Sequence, residues 1–358
     1  MGKFHVAPDG LSQFDPRSAA FCLVTTAGRE NDFKVLPSSS YSSTTIVPLG
    51  LDQNLESLLE EGCVPDAADV LVVCPDRFLV SPNEQTIGKR RIAVLPCGST
   101  PTTSEQIAYF LAVLHRCDVT RQERFCARLV DTLEQTVTLR LVDAVHDTVA
   151  TFQVSDDYEW NQQAGIIEPG EQQVAPPGEF SALPTGINSF DDTRRLKLNG
   201  SLTVLGPPIV HRANRGGLIN TQAQLFAAFD ATRAAPLRLD VADGLIIDWQ
   251  ALDRSAEPAV EAFFELFELD ERYRIVWEFG IGCNETIDPQ AGNCGMNEMY
   301  GSVQGVLHLG LGLTPTTDYA ITLCCRQTCG LDDAQRPIFG AKYHRINRVR
   351  SRSCGCIG

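Results

Sequence analysis

Residues 237–249 read LRLDVADGLIIDW, two alternating apolar–polar runs on either side of Asp243-Gly244. An Asp-Gly pair supplies the positive-φ residues of a two-residue hairpin turn, and alternation of period two places one face of each run on a core. The stretch therefore predicts two antiparallel strands. Working downstream, residues 258–269 (PAVEAFFELFEL) have helical spacing, with Phe263, Phe264 and Phe267 expected to face the core. Residues 275–281 and 306–311 follow as short apolar strands. Upstream, residues 196–205 (LKLNGSLTVL) are strand-like with an Asn199-Gly200 turn signal inside them.

The first half has a different rhythm. Residues 20–26 (AFCLVTT), 69–74 (DVLVVC) and 92–97 (IAVLPC) are apolar runs bounded by turn residues, which suits strands buried on both faces of a parallel sheet. Helical spacing separates and follows them, over 51–62 and 103–116, the second opened by Pro101, Ser104 and Gln106. Residues 139–154 alternate as a hairpin would, and 155–185 are rich in Gln, Glu, Pro and Gly. The expected class is α/β. A mostly parallel-sheet domain over 1–155 and a linker loop over 156–182 precede a mixed α/β domain over 183–358.

Bulk properties narrow the function. The 358 residues carry a formal net charge of −15, which repels a phosphate backbone, so nucleic acid is not an expected partner. No apolar run reaches the ~20 residues that span a bilayer, and MGKFHVAPDG has no apolar segment of a secretory signal. No membrane role and a cytoplasmic location are expected. The 13 cysteines then read as reduced thiols, mostly small core residues, and no CxxC pair suggests a zinc or iron–sulfur site. One basic cluster stands out near the C-terminus: Lys342, His344, Arg345, Arg348, Arg350 and Arg352. Its plain reading is a solvated strand or tail, and its functional reading is an anion site. Gly98-Ser99-Thr100 after an apolar strand reads as a strand-to-helix turn, with anion binding as the alternative. His5, His115, His146 and His211 read as structural or surface residues.

Several segments, taken in order, resemble the metal-site domain of the aminopeptidase T family. They are Leu183-Pro184-Thr185-Gly186, Asn199-Gly200 with its strand, the 237–249 hairpin, the 277–284 run WEFGIGCN and the 305–312 run GVLHLGLG. Residues 147–152 resemble a further family run in the first domain. The resemblance implies an aminopeptidase T-like C-terminal domain and a homodimer. In that family carboxylates and histidines hold two divalent metals, and a related branch resembling dihydroxypyridine dioxygenases keeps two histidines and one aspartate on a single iron.

Carried over residue by residue, the resemblance gives Glu278, His308 and His344 as metal ligands. It also gives Ile187 and Ile346 where the family has carboxylates. Two lost anions imply no dinuclear hydrolysis. The expected cofactor is none, with one iron or zinc on Glu278, His308 and His344 as the alternative. Two functional readings follow. In the first, the chain binds a peptide substrate or leader peptide through Arg345, Arg348 and Lys342, as more weakly resembles the peptide-binding proteins of crocagin-type biosynthesis of ribosomally made natural products. In the second, it is a mononuclear iron oxygenase or divergent metallohydrolase.

Overall fold

The computed structural model of the chain describes residues 4–213 and 217–343, the side chain of Asn188 excepted. The class is the α/β one expected. Strands Ala20–Thr26, Ser43–Leu49, Ala68–Val73 and Arg91–Leu95 form a parallel sheet in which the Ala20–Thr26 strand lies between its two partners. Side chains of Ala20–Thr26 and Ala68–Val73 are buried on both faces, as continuous apolar runs require, whereas the edge strand Ser43–Leu49 is largely exposed. The helix Ser104–Leu114 is capped by Thr103 and Gln106 in a reciprocal box, one residue earlier than Ser104 would have placed it. Of residues 51–62 only Leu55–Glu60 is helical, begun by Asn54 in a similar box.

Two expectations about organisation change. Residues 156–182, read as a linker, carry strands of both halves. Gln172–Val174 joins the parallel sheet beside Arg91–Leu95, whereas Tyr158–Gln163 and Glu179–Pro184 pair with each other in the second half. The hairpin Thr138–Asp143 and Thr148–Gln153 belongs to the second half too, since it pairs with Leu198–Val204 and Cys329–Leu331. The chain thus crosses between halves several times, and pairing partners distant in sequence decide where these strands go.

The second half is two antiparallel sheets face to face. One has seven strands and includes the predicted 237–249 hairpin, Leu237–Ala242 with Leu245–Ala251. Asn199-Gly200 makes no turn; Leu198–Val204 runs straight through it. The other sheet has six strands, in the order Ile209–Arg212, Tyr319–Cys325, Val306–Leu311, Val276–Gly282, Glu179–Pro184 and Tyr158–Gln163. Between the sheets lie Phe279, Ile281, Leu307, Leu309, Ile321 and Leu323 from one side, with Phe152, Leu198, Leu202 and Leu239 from the other. The helix Glu257–Leu269 presents Phe263 and Phe267, four residues apart on one stripe, to this core. Phe264 falls off that stripe and is 56% exposed, against Trp249, so its expected burial is corrected.

Phe152 and Phe279 stack with centroids 4.2 Å apart at 14°, joining the two sheets at their centre. Both are essentially buried. Truncating Phe279 removes that contact and leaves a cavity under the adjacent Glu278. Phe279→Ala is expected to destabilise the chain by about 3–5 kcal/mol, read by chemical denaturation.

Candidate metal centre

The six-stranded sheet has a second face, and the same alternation that sends Phe279 and Ile281 inward sends Glu278, Gly280 and Gly282 outward onto it. Register fixes the neighbours: Glu278 lies opposite Gly310, Gly280 opposite His308 and Ser181, and Gly282 opposite Glu179. Side chains directly opposite on an antiparallel pair share a face. So Glu179, Glu278 and His308 stand on one surface, separated by glycines rather than by bulk.

Those glycines have a steric reason. A Cβ on Gly280 would sit 2.0 Å from His308 Nε2, and one on Gly310 would sit 2.7 Å from Glu278 Oε2. Real Cβ atoms do not approach so closely, so each glycine lets the neighbouring functional side chain lie flat across the sheet. Glu298 is brought over the same surface by the short 3-10 helix Gly295–Met299. Its Oε1 accepts a hydrogen bond from Thr322 Oγ1 at 2.7 Å.

The result is a convergence of one ligand atom each from Glu179, Glu278, Glu298 and His308, all within 4.8 Å of one another. His308 Nε2 lies 3.3 Å from Glu179 Oε1 and 3.9 Å from Glu298 Oε1. His308 is 1% exposed, Glu179 6% and Glu278 8%. Burial pushes the Glu179 carboxyl up to about 8, and the charge of Glu298 pushes in the same direction. Burial also raises Glu278 well above the carboxylate range, helped by Glu179 and Glu298 and opposed by His308. Without a cation, such a cluster keeps protons.

Of the sequence-derived ligands, Glu278 and His308 come together, and His344 lies outside the described residues. Arg345 and Arg348 lie outside them as well. Lys342 is described, exposed just after the strand Pro337–Gly340. The carboxylate deficit inferred from Ile187 and Ile346 is offset by two acids that sequence reading did not single out, Glu179 and Glu298. Among the described residues this centre contains no cysteine; the described cysteines are free and mostly buried.

His211, read from sequence as a structural or surface residue, lies on the cleft wall. Its Nδ1 lies 3.0 Å from Ser99 Oγ, and it lines a cleft of about 490 Å³ together with Glu278, Glu298 and Thr322. Burial lowers the imidazole's proton affinity, while Glu298 opposes that shift. Ser99 belongs to the Gly98-Ser99-Thr100 turn of the parallel-sheet half. Its carbonyl accepts from Arg212 N at 2.8 Å and from Gln222 Nε2 at 2.7 Å, which ties the two halves together at the cleft. A second cavity, of about 340 Å³, adjoins it, with Glu179, Asn161, Gln163 and Gln173 in its wall. Ser99 and Phe78 line both.

The fold has a counterpart of known structure. A 2,5-dihydroxypyridine dioxygenase from Pseudomonas putida KT2440 superposes with a TM-score of 0.58 over 92% of each chain, at 14% identity. AmpT from Thermus thermophilus aligns over 92% of this chain and 96% of its own, at 11% identity and a TM-score of 0.45. No family model and no curated protein matches the sequence. The dioxygenase likeness establishes a shared fold.

The raised Glu179 carboxyl has a consequence for the metal-free chain. Its folded proton affinity exceeds the unfolded one, so its contribution to stability is whole below about pH 4.5 and is lost as pH rises through about 8. Denaturant melts of chelator-treated protein are expected to weaken steadily across that window, and Glu179→Gln should flatten the dependence.

Proposed function

We propose that this chain is a metalloenzyme that holds one divalent ion, iron or zinc, on His308 and the carboxylates of Glu179, Glu278 and Glu298. The observation that carries the reading is the convergence of these four groups within 4.8 Å on a sheet face cleared by glycines. Two buried acids, the half-buried Glu298 and an imidazole make a donor set of hard oxygens and one borderline nitrogen, which suits such ions. The fit is also electrostatic, because burying three carboxyl groups together is costly unless protons or a cation neutralise them. When bound, the ion would supply Lewis-acid activation of a water or a substrate oxygen.

The chain's own residues account for the rest. Thr322 fixes the rotamer of Glu298 through its hydroxyl, the kind of outer partner that orients a ligating carboxylate. Gly280 and Gly310 keep His308 and Glu278 low, leaving the cleft side open. Glu179 reaches one cavity, while Glu278 and Glu298 reach the other, so a substrate lying across the centre contacts both. The first wall is rich in carboxamides, and the second is apolar, with Phe190, Leu313 and Pro315.

This two-sided cleft favours an elongated substrate, and it also supports the second reading, capture of a peptide. There the sheet edge Tyr158–Gln163 adjoins the amide-rich wall, and an added strand could pair with it. Arg345, Arg348 and Lys342 would serve such a peptide, and a role in modifying ribosomally made peptides would follow. That role, and a homodimer, rest on the sequence resemblance.

Metal analysis tests the primary reading. Protein reconstituted with zinc or iron(II) is expected to retain one ion per chain. Calorimetry in buffers of differing ionisation heat should show protons released on binding near neutral pH. His308→Ala should abolish retention, and Thr322→Val should weaken affinity by about 10- to 100-fold. A wild-type chain that holds no ion under these conditions would rule the reading out.

A further inference from the structure

The metal reading leaves His211 unused. It does not join the four converging ligands, yet it stands on the same cleft wall as Glu278 and Glu298. The geometry points to His211 as the proton-transfer residue of this cleft, held in one orientation by Ser99. This assignment rests on the metal-centre reading and adds a residue to it.

The two ring nitrogens have different surroundings. Nδ1 is engaged by Ser99 Oγ at 3.0 Å. Among the described residues Nε2 has no hydrogen-bond partner, and it is not one of the sealed buried atoms left without one. His211 lines the cleft, and Nε2 is the ring nitrogen left to serve it. With Ser99 accepting from Nδ1–H, Nε2 keeps its lone pair, the form a general base needs.

The support behind Ser99 is unusually firm for a loop residue. Ser99 is 8% exposed, and its carbonyl takes two hydrogen bonds from the opposite half of the molecule, from Arg212 N and Gln222 Nε2. Gln222 is itself buried and also donates to Val210 O at 2.7 Å. His211 and Arg212 are consecutive on the strand Ile209–Arg212, so the backbone that carries the imidazole and the hydroxyl that orients it are locked to one another. Here the fold spends three hydrogen bonds holding one nitrogen and leaves the other to serve the cleft.

The proton inventory is simple. In hydrolysis of an ester, a water O–H proton passes to His211 Nε2 as the new carbon–oxygen bond forms. The carbon–oxygen bond to the leaving group then breaks, and the proton goes to the departing oxygen or to solvent. No oxidant or further reactant is required.

The test uses the full chain loaded with zinc and the probe ester p-nitrophenyl acetate. Zinc-dependent turnover is expected for the wild type, with kcat/KM lower by about 100-fold or more in His211→Ala at unchanged zinc affinity. Added imidazole should restore part of the lost rate, which a merely structural role would not allow. Ser99→Ala should keep zinc affinity and folding but lose rate by about tenfold. In 15N spectra of the wild type, Nε2 of His211 should appear as an unprotonated imine nitrogen, and Ser99→Ala should show mixed tautomers. Full zinc binding with His211→Ala within threefold of wild type, or with no wild-type turnover, would overturn this assignment and leave the metal centre standing. Failure of zinc to bind would instead remove the reading beneath it.

Discussion

Three carboxyl groups and an imidazole cannot share a buried surface a few ångströms wide without something positive among them. The remainder of the molecule accommodates that constraint. In the metal-free chain the positive charge is supplied by protons, which is why Glu179 and Glu278 hold theirs far above the usual carboxylate range. A divalent cation would replace those protons and relieve the like-charge repulsion, so metal affinity, proton release and stability are linked quantities here. Removing one ligand would leave the others buried with less compensation, so effects at these positions should not add simply.

The alternation of the six-stranded sheet turns this constraint into architecture. Along Val276–Gly282 and Val306–Leu311, Phe279, Ile281, Leu307, Leu309 and Leu311 are the large apolar side chains that pack into the core against the seven-stranded sheet. The residues between them are Glu278, Gly280 and Gly282 on one strand and His308 and Gly310 on the other. Core packing on one face thus constrains the position of the polar groups on the other. The Gly98-Ser99-Thr100 turn of the other half then closes over that face, hydrogen-bonded to the segment that carries Glu298. The halves are held there by backbone and buried amide hydrogen bonds rather than by surface ion pairs, which would contribute little.

Local patterns carried much of this. The Asp243-Gly244 hairpin, the buried parallel strands and the Phe263–Phe267 stripe are short-range signals, and they appear where period and turn chemistry put them. Glu278 and His308 were nameable because the 277–284 and 305–312 runs that carry them resemble the metal-site segments of the aminopeptidase T family. Glu179 was hidden because it opens an apolar run inside a stretch so rich in Gln, Pro and Gly that it reads as loop. A carboxylate at the outward phase of an otherwise apolar strand is the signal that could have found it. Glu298 lies on a five-residue 3-10 turn with no periodicity at all. His211 looked ordinary because its significance lies in Ser99, 112 positions away. Asn199-Gly200 misled for the converse reason. The glycine there lets the neighbouring strand Thr148–Gln153 come close, and pairing overrides its turn preference.

The central claim is that the centre binds one ion through carboxylate oxygens and a single described imidazole. X-ray absorption at the edge of the bound metal tests it most directly. The account predicts a first shell of light atoms at about 2.0–2.2 Å, with the multiple-scattering signature of imidazole and no sulfur. A shell containing sulfur at about 2.3 Å would place the ion on the cysteines instead and contradict the account.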